Sequence, residues 1–295
     1  MKPAFSTVAC PDWTLDRIIP LAGELGYMGV EMRSFGPHAG NPASDLACEP
    51  FLTSTEKIRE LCDEHGVETA CIATSIRYDA PVFPPVIGRV IGDFERPVRE
   101  TKRAVQLASS LSCPYVRVFA FELENESRPN GMRRIMQRLD LAARTARHTG
   151  TRLLIENGGS FPTAADLIEI MNRLGSPFVA AAYSPAVAAM SGEDPAEGVR
   201  LLGQSLGSVK LRDVADGKPA PLGEGEADFG SGGAEGFVRM LAERGFDGWA
   251  VYEHDRLWWP GTGDPTETLR DAAEKIYRWM GGPRGEIESR KFAVA

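Results

Sequence analysis

Two glutamates, far apart in the sequence, stand where two short apolar runs end. Glu156 follows the run Arg152–Ile155, and Glu253 follows the run Trp249–Tyr252. Each run is typical of a strand buried on both faces, because it is short and mostly apolar throughout. Two carboxylates that face one cavity can remove a proton from a bound molecule and return it. The pair therefore predicts acid/base chemistry, provided that the sheet brings these two strand ends together.

Similar short apolar runs recur along the whole chain and alternate with longer amphipathic runs. The pattern predicts strands at Ala4–Ala9, Gly29–Met32, Thr69–Thr74, Tyr115–Phe119, Arg152–Ile155, Phe178–Ala182, Ser208–Leu211 and Trp249–Tyr252. It predicts helices at Leu15–Leu25, Thr55–Glu64, Phe94–Leu111, Met132–His148, Ala164–Leu174, Pro195–Leu202, Ala234–Glu243 and Pro265–Met280. Eight strand–helix units in an α/β chain favour a (β/α)8 TIM barrel. The alternative, an open doubly wound sheet, lacks a GxGxxG turn after its first strand.

We expect a single barrel domain over residues 1–281, followed by a charged C-terminal tail at residues 282–295. Two long inserts, Arg77–Arg96 and His254–Pro265, come directly after strands. Loops at that end of a TIM barrel carry the active site, so these inserts are expected to line or cover a pocket rather than only extend the rim.

The composition limits the partners of this protein. With 33 basic and 41 acidic residues the net charge is −8, which argues against a nucleic-acid partner, because phosphate contacts need clustered Lys and Arg. No run approaches the length of a membrane span, and the N-terminus lacks a signal-peptide pattern. The five cysteines show no CxxC spacing and suit free thiols in a reducing cytosol. We therefore expect a cytoplasmic protein without a membrane or nucleic-acid partner.

In a TIM barrel the residues at the carboxyl ends of the strands converge on one cavity. In this chain those positions are unusually polar, and buried charges must either pair or face a wet cavity. The strand-end residues are Glu31, Arg33, Ser75, Arg77, Arg117, Glu156, Asn157, Tyr183, Ser184, Lys210, Arg212, Asp213, Glu253 and His254.

Four segments make the chain resemble the sugar isomerase and epimerase barrels related to xylose isomerase and endonuclease IV. They are LLIEN at Leu153–Asn157, VKLRD at Val209–Asp213, PLGEGEADF at Pro221–Phe229 and GFDGWAVYEHD at Gly245–Asp255. The resemblance covers nearly the whole chain, and the last two segments carry most of its specificity. It implies carbohydrate metabolism and a reaction in which a proton is removed next to a carbonyl, through an enediolate.

The resemblance also implies a divalent metal held by four residues at the barrel mouth. Glu156 and Glu253 match the two family glutamates, whereas the family aspartate falls at Ser184 and the family histidine at Lys210. A protonated lysine has no acceptor for a metal, and a serine hydroxyl binds hard cations weakly. We expect either no cofactor or a weakly held divalent ion (Mn, Mg or Zn), on Glu156 and Glu253, with His254 or Asp213 as replacement ligands if a metal binds.

The exchange of a family ligand for Lys210 suggests a role for this lysine. Its ammonium is expected to lie where the ion would lie and to keep the two glutamates ionised, unless it is only a solvated surface lysine. Glu156, Glu253 and Lys210 are therefore the predicted catalytic residues. Lys210, Arg117 and Arg212 would supply the positive charge that an enediolate needs.

Several further side chains are predicted to bind the substrate. They are Arg117, Arg212, Arg77, Ser184, His254 and Trp258. For Arg117 and Arg77, ion pairing to Glu122 or Asp79 is an equal alternative. Trp258 and Trp259 would stack on a sugar ring or seal a contact between subunits, as in a homodimer. Among the other histidines, His38 lies in a loop within reach of the pocket, whereas His65 and His148 lie at helix ends.

Three functions remain open from the sequence. The first is an isomerase or epimerase acting on a small sugar-like carbonyl compound with the two carboxylates. The second is a dehydratase, a lyase acting on a cyclic polyol ketone or a dehydroshikimate-like compound through the same carbanion. The third is a non-catalytic barrel that binds a sugar or a partner after its metal site has decayed; an endonuclease is disfavoured by the net charge.

Overall fold

The computed structural model describes residues 1–35, 54–79, 95–123 and 127–281. Their strands are β1 (Lys2–Ser6), β2 (Gly29–Arg33), β3 (Glu68–Arg77), β4 (Tyr115–Phe119), β5 (Arg152–Glu156), β6 (Val179–Tyr183), β7 (Leu206–Leu211), β8 (Val214–Ala215), β9 (Lys218–Pro219) and β10 (Trp249–Tyr252). Their α-helices are α1 (Leu15–Leu25), α2 (Thr55–His65), α3 (Arg96–Ser110), α4 (Arg128–Thr145), α5 (Ala164–Leu174), α6 (Pro185–Met190), α7 (Pro195–Leu202), α8 (Gly233–Glu243) and α9 (Pro265–Trp279). Helices and strands alternate along most of the chain.

Eight of the strands close into a barrel in the order β1-β10-β7-β6-β5-β4-β3-β2, and each neighbouring pair is parallel. Closure depends on β1, which pairs with β10 on one side and with β2 on the other. The predicted (β/α)8 TIM barrel is therefore confirmed. All eight carboxyl ends lie on one side of the barrel, as parallel strands require, and this side carries the candidate site.

Several predicted boundaries agree with the structure, and others differ. Strand β3 continues to Arg77 instead of ending at Thr74, and helix α4 begins at Arg128 instead of Met132. The first strand ends at Ser6, because Thr7–Ala9 form a 3-10 turn in place of the predicted continuation to Ala9. The short helix α6 was not predicted; it has only six residues and begins with proline, so it has too few turns to show a helical period. The small antiparallel hairpin β8–β9 was also missed.

The core has two layers, which follow from the alternation of side chains along each strand. Outward-facing residues such as Val209 and Ile155 join the large cluster between the strands and the helices. Inward-facing residues form smaller clusters: Ala4, Ala70, Trp249 and Val251 in one, and Cys71, Leu154, Ala180 and Ala182 in the other.

Helices α1 and α5 have residue types at their ends that commonly cap helices. Thr163 caps α5 through a capping box with Asp166. Gly26 ends α1 in the left-handed region with a φ of 83°, where a residue with a side chain would be strained. Cys10, Cys62, Cys71 and Cys113 are free and buried, as expected. In the described ranges no helix combines the length and the apolar character that crossing a membrane requires.

Candidate active site

The polar end of the barrel interior is built by residues that alternate with interior apolar ones. On β10 and its extension, Val251 and then Glu253 face inward, and on β7 the inward residues are Lys210 and then Arg212. Since β7 and β10 are paired with Val251 opposite Lys210, Glu253 lies beside Arg212. The register of these two neighbouring strands therefore places one carboxylate, Glu253, within reach of two cationic side chains, Lys210 and Arg212.

Lys210 lies between two carboxylates in the centre of this end. Its Nζ donates to Glu31 Oε2 on β2 and to Glu253 Oε1, the latter at 3.1 Å. Lys210 and Glu253 are only 1% and 2% exposed, and Glu31 is fully buried. Lys210 is therefore not the solvated surface lysine that the sequence left open.

Arg117 on β4 joins the two predicted catalytic glutamates. Its Nη1 lies 3.2 Å from Glu156 Oε2 and 3.5 Å from Glu253 Oε1, and its Nη2 donates to the carbonyl of Thr74 at 3.2 Å. The barrel thus brings Glu156 and Glu253 to one guanidinium, although 97 positions of sequence separate them. The alternative pairing of Arg117 with Glu122 or Asp79 is not what the structure shows.

Arg212 approaches the other oxygen of Glu253. Its Nη2 donates to Glu253 Oε2 at 2.5 Å, and its Nε lies 3.1 Å from Asp255 Oδ2. The Arg212 side chain is 32% exposed, so it lies at the outer edge of the cluster. Glu253 therefore contacts three cations, and both of its oxygens are engaged.

These contacts shift the pKa values of Glu253 and Glu156 in opposite directions. Burial opposes ionisation of Glu253, but Lys210, Arg212 and Arg117 together outweigh it and hold the pKa of this carboxyl well below its usual range. For Glu156, burial outweighs the attraction of Arg117 and Lys210 and raises the pKa. Glu156 Oε1 also accepts no hydrogen bond from a described residue. Of the two, Glu156 is the carboxylate with an open oxygen and the greater tendency to hold a proton.

The neighbouring carboxylates raise the pKa values of Lys210 and Arg117. Burial alone would lower the pKa of Lys210, but Glu253, Glu31 and Glu156 raise it well above its usual value. The pKa of Arg117 rises for the same reason, against burial, because Glu156, Glu31 and Glu253 surround it. Burial raises the pKa of Asp255 to about 6, although Arg212 acts against it. The mouth therefore carries fixed positive charge on groups that do not release their protons near neutral pH.

Asp213, the residue after Arg212, belongs to a different arrangement. Its carboxylate accepts four backbone N–H bonds, of 2.9, 2.8, 3.1 and 3.1 Å, from Val214, Gly223, Gly225 and Ala227. These donors belong to the β8–β9 hairpin and to the PLGEGEADF segment. A Cβ at Gly225 would lie 2.2 Å from Asp213 Oδ1, so glycine is required for this close approach. The segment is thus a loop wrapped around a carboxylate, beside the site but not in it.

His254 follows Glu253 directly and faces away from the cluster. Its Nε2 lies 3.0 Å from the carbonyl of Thr262, which can only accept, so Nε2 carries the proton. Its Nδ1 lies 3.3 Å from the Tyr252 hydroxyl, which can then donate to it. Burial lowers the pKa of His254, and both ring nitrogens are bonded. This favours a structural role over the substrate-binding role expected from sequence.

Three other predicted substrate-binding residues lie at the edge of the site. Arg77 donates to Asp79 at 3.1 and 2.5 Å, which is one of the pairings left open, and its guanidinium lies 4.3 Å from the centre of the Phe121 ring. Ser184 is buried, and its backbone N–H donates to Oδ1 of Asn157, the residue after Glu156, at 2.6 Å. Trp258 is 54% exposed and stacks on Phe35 with ring centres 6.1 Å apart.

Some predictions lie outside the described residues, and some site residues had no predicted role. The predictions outside the described residues concern His38, Cys48, the central part of the first insert and the tail. The site residues without a predicted role are Glu31, Asp255 and Phe35. Glu31 is among the polar residues predicted to converge on the cavity, so its position was visible in the sequence, but its pairing with Lys210 was not. Asp255 continues the inward alternation from Glu253, a signal that could have identified it.

The residues at the four family ligand positions do not suit a divalent metal ion. Lys210 has only donors, and its ammonium contacts Glu253 directly. The guanidinium of Arg117 lies against both remaining carboxylates, so two cations already occupy their ligand directions. In the described parts of the chain no group of three or more His, Cys, Asp or Glu side chains is arranged to hold a metal ion.

The fold agrees with that of several solved structures. A probable 3-DHS dehydratase, AsbF, from Bacillus anthracis is 14% identical with a TM-score of 0.73, over 93% of this chain and 98% of that one. The 3-keto-D-glucoside 4-epimerase YcjR from E. coli is 16% identical with a TM-score of 0.71, over 94% and 99% of the two chains. The IOLI protein, solved with a zinc atom, is 16% identical with a TM-score of 0.72 over both whole chains.

At these identities the likeness shows the fold alone, and no curated protein matches the sequence significantly. The sequence profile of one family does match, over residues 19–279. That range includes every charged residue of the cluster at the barrel mouth. This chain therefore belongs to the xylose isomerase-like TIM barrel family.

Proposed function

We propose that this protein is an isomerase of a small polyhydroxylated carbonyl compound, acting through an enediolate at the charged mouth of the barrel. One observation carries the proposal: one oxygen of Glu156 accepts no hydrogen bond from the described residues, whereas Glu253 has both oxygens held by three cations. The first group suits a proton acceptor, and the second suits an anion that fixes the cations. The many sugar-modifying structures of this fold support the choice of substrate class.

In the proposed reaction the Glu156 carboxylate removes the proton from the carbon next to the carbonyl. The C–H electron pair becomes the C=C bond of the enediolate, and the carbonyl electrons move to oxygen. Lys210 and Arg117 stabilise this oxyanion as ion-pair partners that are already in place. The same carboxylic acid then returns the proton to the former carbonyl carbon. The hydroxyl proton on the carbon that was deprotonated passes to the former carbonyl oxygen, and the C=O bond re-forms on the deprotonated carbon.

A single proton carrier has a stereochemical consequence. Removal and return by Glu156 occur on one face of the enediolate, which gives isomerisation. Epimerisation needs delivery from the opposite face, and within the pair predicted from the sequence Glu253 would have to perform it. Because both Glu253 oxygens accept bonds from cations, we propose that Glu253 positions the cations instead. Epimerisation is therefore a weaker candidate for this site than isomerisation.

Solvent exchange tests this proposal on many candidate substrates at once. A panel of ketoses, aldoses and cyclic polyol ketones is incubated in D₂O with the wild type and with Glu156→Gln, and deuterium at the α-carbon is followed by NMR. We expect uptake with the wild type on at least one compound and none with E156Q, because the amide cannot accept the proton. Tight binding of a panel member without any exchange would instead support a non-catalytic sugar-binding barrel.

We further propose that Lys210 takes the place of the family's metal ion. Exhaustive dialysis against a chelator should then leave the exchange rate unchanged, and metal analysis should find far less than one ion per chain. As a matched gain of function, the double variant Ser184→Asp, Lys210→His restores both absent ligand types and should bind Mn²⁺ where the wild type does not. A stoichiometric ion in the wild type would overturn this part.

Dehydration remains a second candidate, because it begins with the same proton removal. A dehydratase shares the fold at a TM-score of 0.73. The same panel separates the two reactions, since loss of water from a cyclic polyol ketone gives a conjugated product that absorbs in the ultraviolet, whereas isomerisation does not.

A further inference from the structure

Glu31 is a fully buried carboxylate that the proposed reaction does not use. It lies in the middle of β2, and its Oε2 accepts a hydrogen bond from Lys210 Nζ, which also donates to Glu253. Its Oε1 is buried and has no hydrogen-bond partner in the described structure. A buried carboxylate held in this way costs desolvation free energy, so its contact with Lys210 needs a reason.

The geometry of the ammonium group supplies one. A lysine ammonium has three N–H donors and spins freely about its Cε–Nζ bond when it has a single acceptor. Lys210 has two acceptors, on Glu31 and on Glu253, which stand on different strands. Two fixed acceptors stop the rotation, and the direction of the third N–H is then set by tetrahedral geometry. That third donor makes no bond to a described residue.

We propose that Glu31 is a positioning residue that locks the Lys210 ammonium so that its third N–H is held ready for the substrate oxygen. The inference rests on the proposed function, since it assigns that donor to the developing oxyanion. A donor that is fixed before the reaction stabilises developing charge without reorganising, which is the main source of oxyanion stabilisation in enzymes. Glu253 cannot lock the ammonium alone, because it also serves Arg117 and Arg212.

A double-mutant cycle tests the proposal. Glu31→Met removes the acceptor while keeping the length of the side chain, and Lys210→Met removes the donor. We expect E31M to lower kcat roughly 100-fold with KM little changed, on the order of the loss of one oxyanion donor. In the K210M background E31M should have almost no further effect on kcat, because the group that it positions is gone. Glu31→Gln, which keeps an acceptor without the charge, should recover part of the loss.

A control variant separates this role from a general loss of packing. Glu193 is a partly buried carboxylate outside the site, bonded to the Tyr183 hydroxyl at 2.8 Å and to the Ala164 N–H at 3.0 Å. Glu193→Gln should lower stability but leave kcat unchanged. Equal loss of kcat from E31M in both Lys210 backgrounds would overturn the proposal, because Glu31 would then act without Lys210.

A spectroscopic readout does not depend on activity. The side-chain ¹⁵N signal of Lys210, identified by its disappearance in K210M, should show slow hydrogen exchange in the wild type and shift with faster exchange in E31M. An unchanged signal in E31M would overturn the proposal whatever the kinetics show. If the wild type exchanges no α-proton with the panel, the proposed function fails, and this signal alone decides whether Glu31 fixes Lys210. Should E31M fail to fold, Glu31→Ala, which also lacks an acceptor, carries the same measurement.

Discussion

Glu253 and Asp213 are both buried carboxylates at the carboxyl end of the barrel, and they are bound by different kinds of partner. Glu253 is held by the side chains of three cations, one from β4 and two from β7 and its extension. Asp213 is held by four backbone N–H groups of the segment that follows it. The first arrangement connects distant parts of the barrel, and the second folds one loop.

The difference shows how the same chemical group serves function in one place and architecture in the other. Backbone amides carry no net charge, so they bring no positive charge to the site, and both oxygens of Asp213 are occupied within the loop. Cationic side chains concentrate positive charge around Glu253, and this charge can act on a bound oxyanion. The glycines of the PLGEGEADF segment are therefore needed for the loop around Asp213 and take no part in the proposed reaction.

The largest effect is expected from Glu253→Gln, which removes the shared anion of the cluster. Lys210, Arg117 and Arg212 would lose a charged partner in a buried place, so we expect a loss of about 3–5 kcal/mol in the free energy of unfolding. Glu156→Gln is the matched control, because Glu156 contacts only Arg117 among these cations. Urea denaturation measures both variants. Equal losses in the two would show that Glu253 is not the centre of the cluster.

Asp213→Asn should have the next largest effect on stability. An asparagine has one oxygen where four donors converge, and its NH₂ group would face N–H groups instead of accepting from them. We expect a loss of about 1–3 kcal/mol, the usual range for an unsatisfied buried donor. Gly225→Ala should act in the same direction through the clash with Oδ1. In contrast to K210M, both variants should keep most of their kcat when folded, and a kcat as low as that of K210M would contradict the separation of the two regions.

Arg212→Gln probes the boundary between the regions, because Arg212 and Asp213 are neighbours in sequence. Arg212 is one-third exposed, so solvent weakens its ion pairs, and we expect a stability loss of only about 1 kcal/mol. The activity should fall more than this figure suggests, since Glu253 loses a cation beside the oxyanion. The test compares urea midpoints and kcat of R212Q with those of D213N. A larger stability loss in R212Q than in D213N would reverse the comparison.

Local sequence patterns predicted the barrel because each strand and helix is signalled by its own residues. Tyr115–Phe119 and Trp249–Tyr252 have the predicted bounds, since both are short runs rich in aromatic and β-branched residues. The charged pairs were not predictable in this way. The bond from Lys210 to Glu31 joins residues 179 positions apart, and only the closure of the barrel specifies it.

The role expected of His254 shows a different limit. Strand residues alternate between the two faces, so a histidine next to an inward-facing Glu253 points outward. That rule was available from the sequence, whereas proximity in sequence to a catalytic candidate suggested the opposite. The bonds from the histidine ring to Thr262 and Tyr252 follow the alternation.

The smallest effect is expected from His254, which anchors the segment after β10 beside the cluster. Its pKa is lowered in the folded protein, because burial disfavours the charged ring. The unfolded chain therefore binds a proton more readily, and the stability that the neutral ring contributes is present above the ordinary histidine pKa and is lost as the pH falls through it.

His254→Gln keeps a donor for Thr262 and an acceptor for Tyr252 but cannot titrate. Urea denaturation between pH 7.5 and pH 5.5 (values near the ordinary histidine pKa of about 6.5) should show a smaller decline for H254Q than for the wild type. Parallel declines would mean that His254 is not held neutral by its two bonds, and that the mouth cluster, where burial raises the pKa of Asp255 to about 6, sets the acid sensitivity of the fold instead.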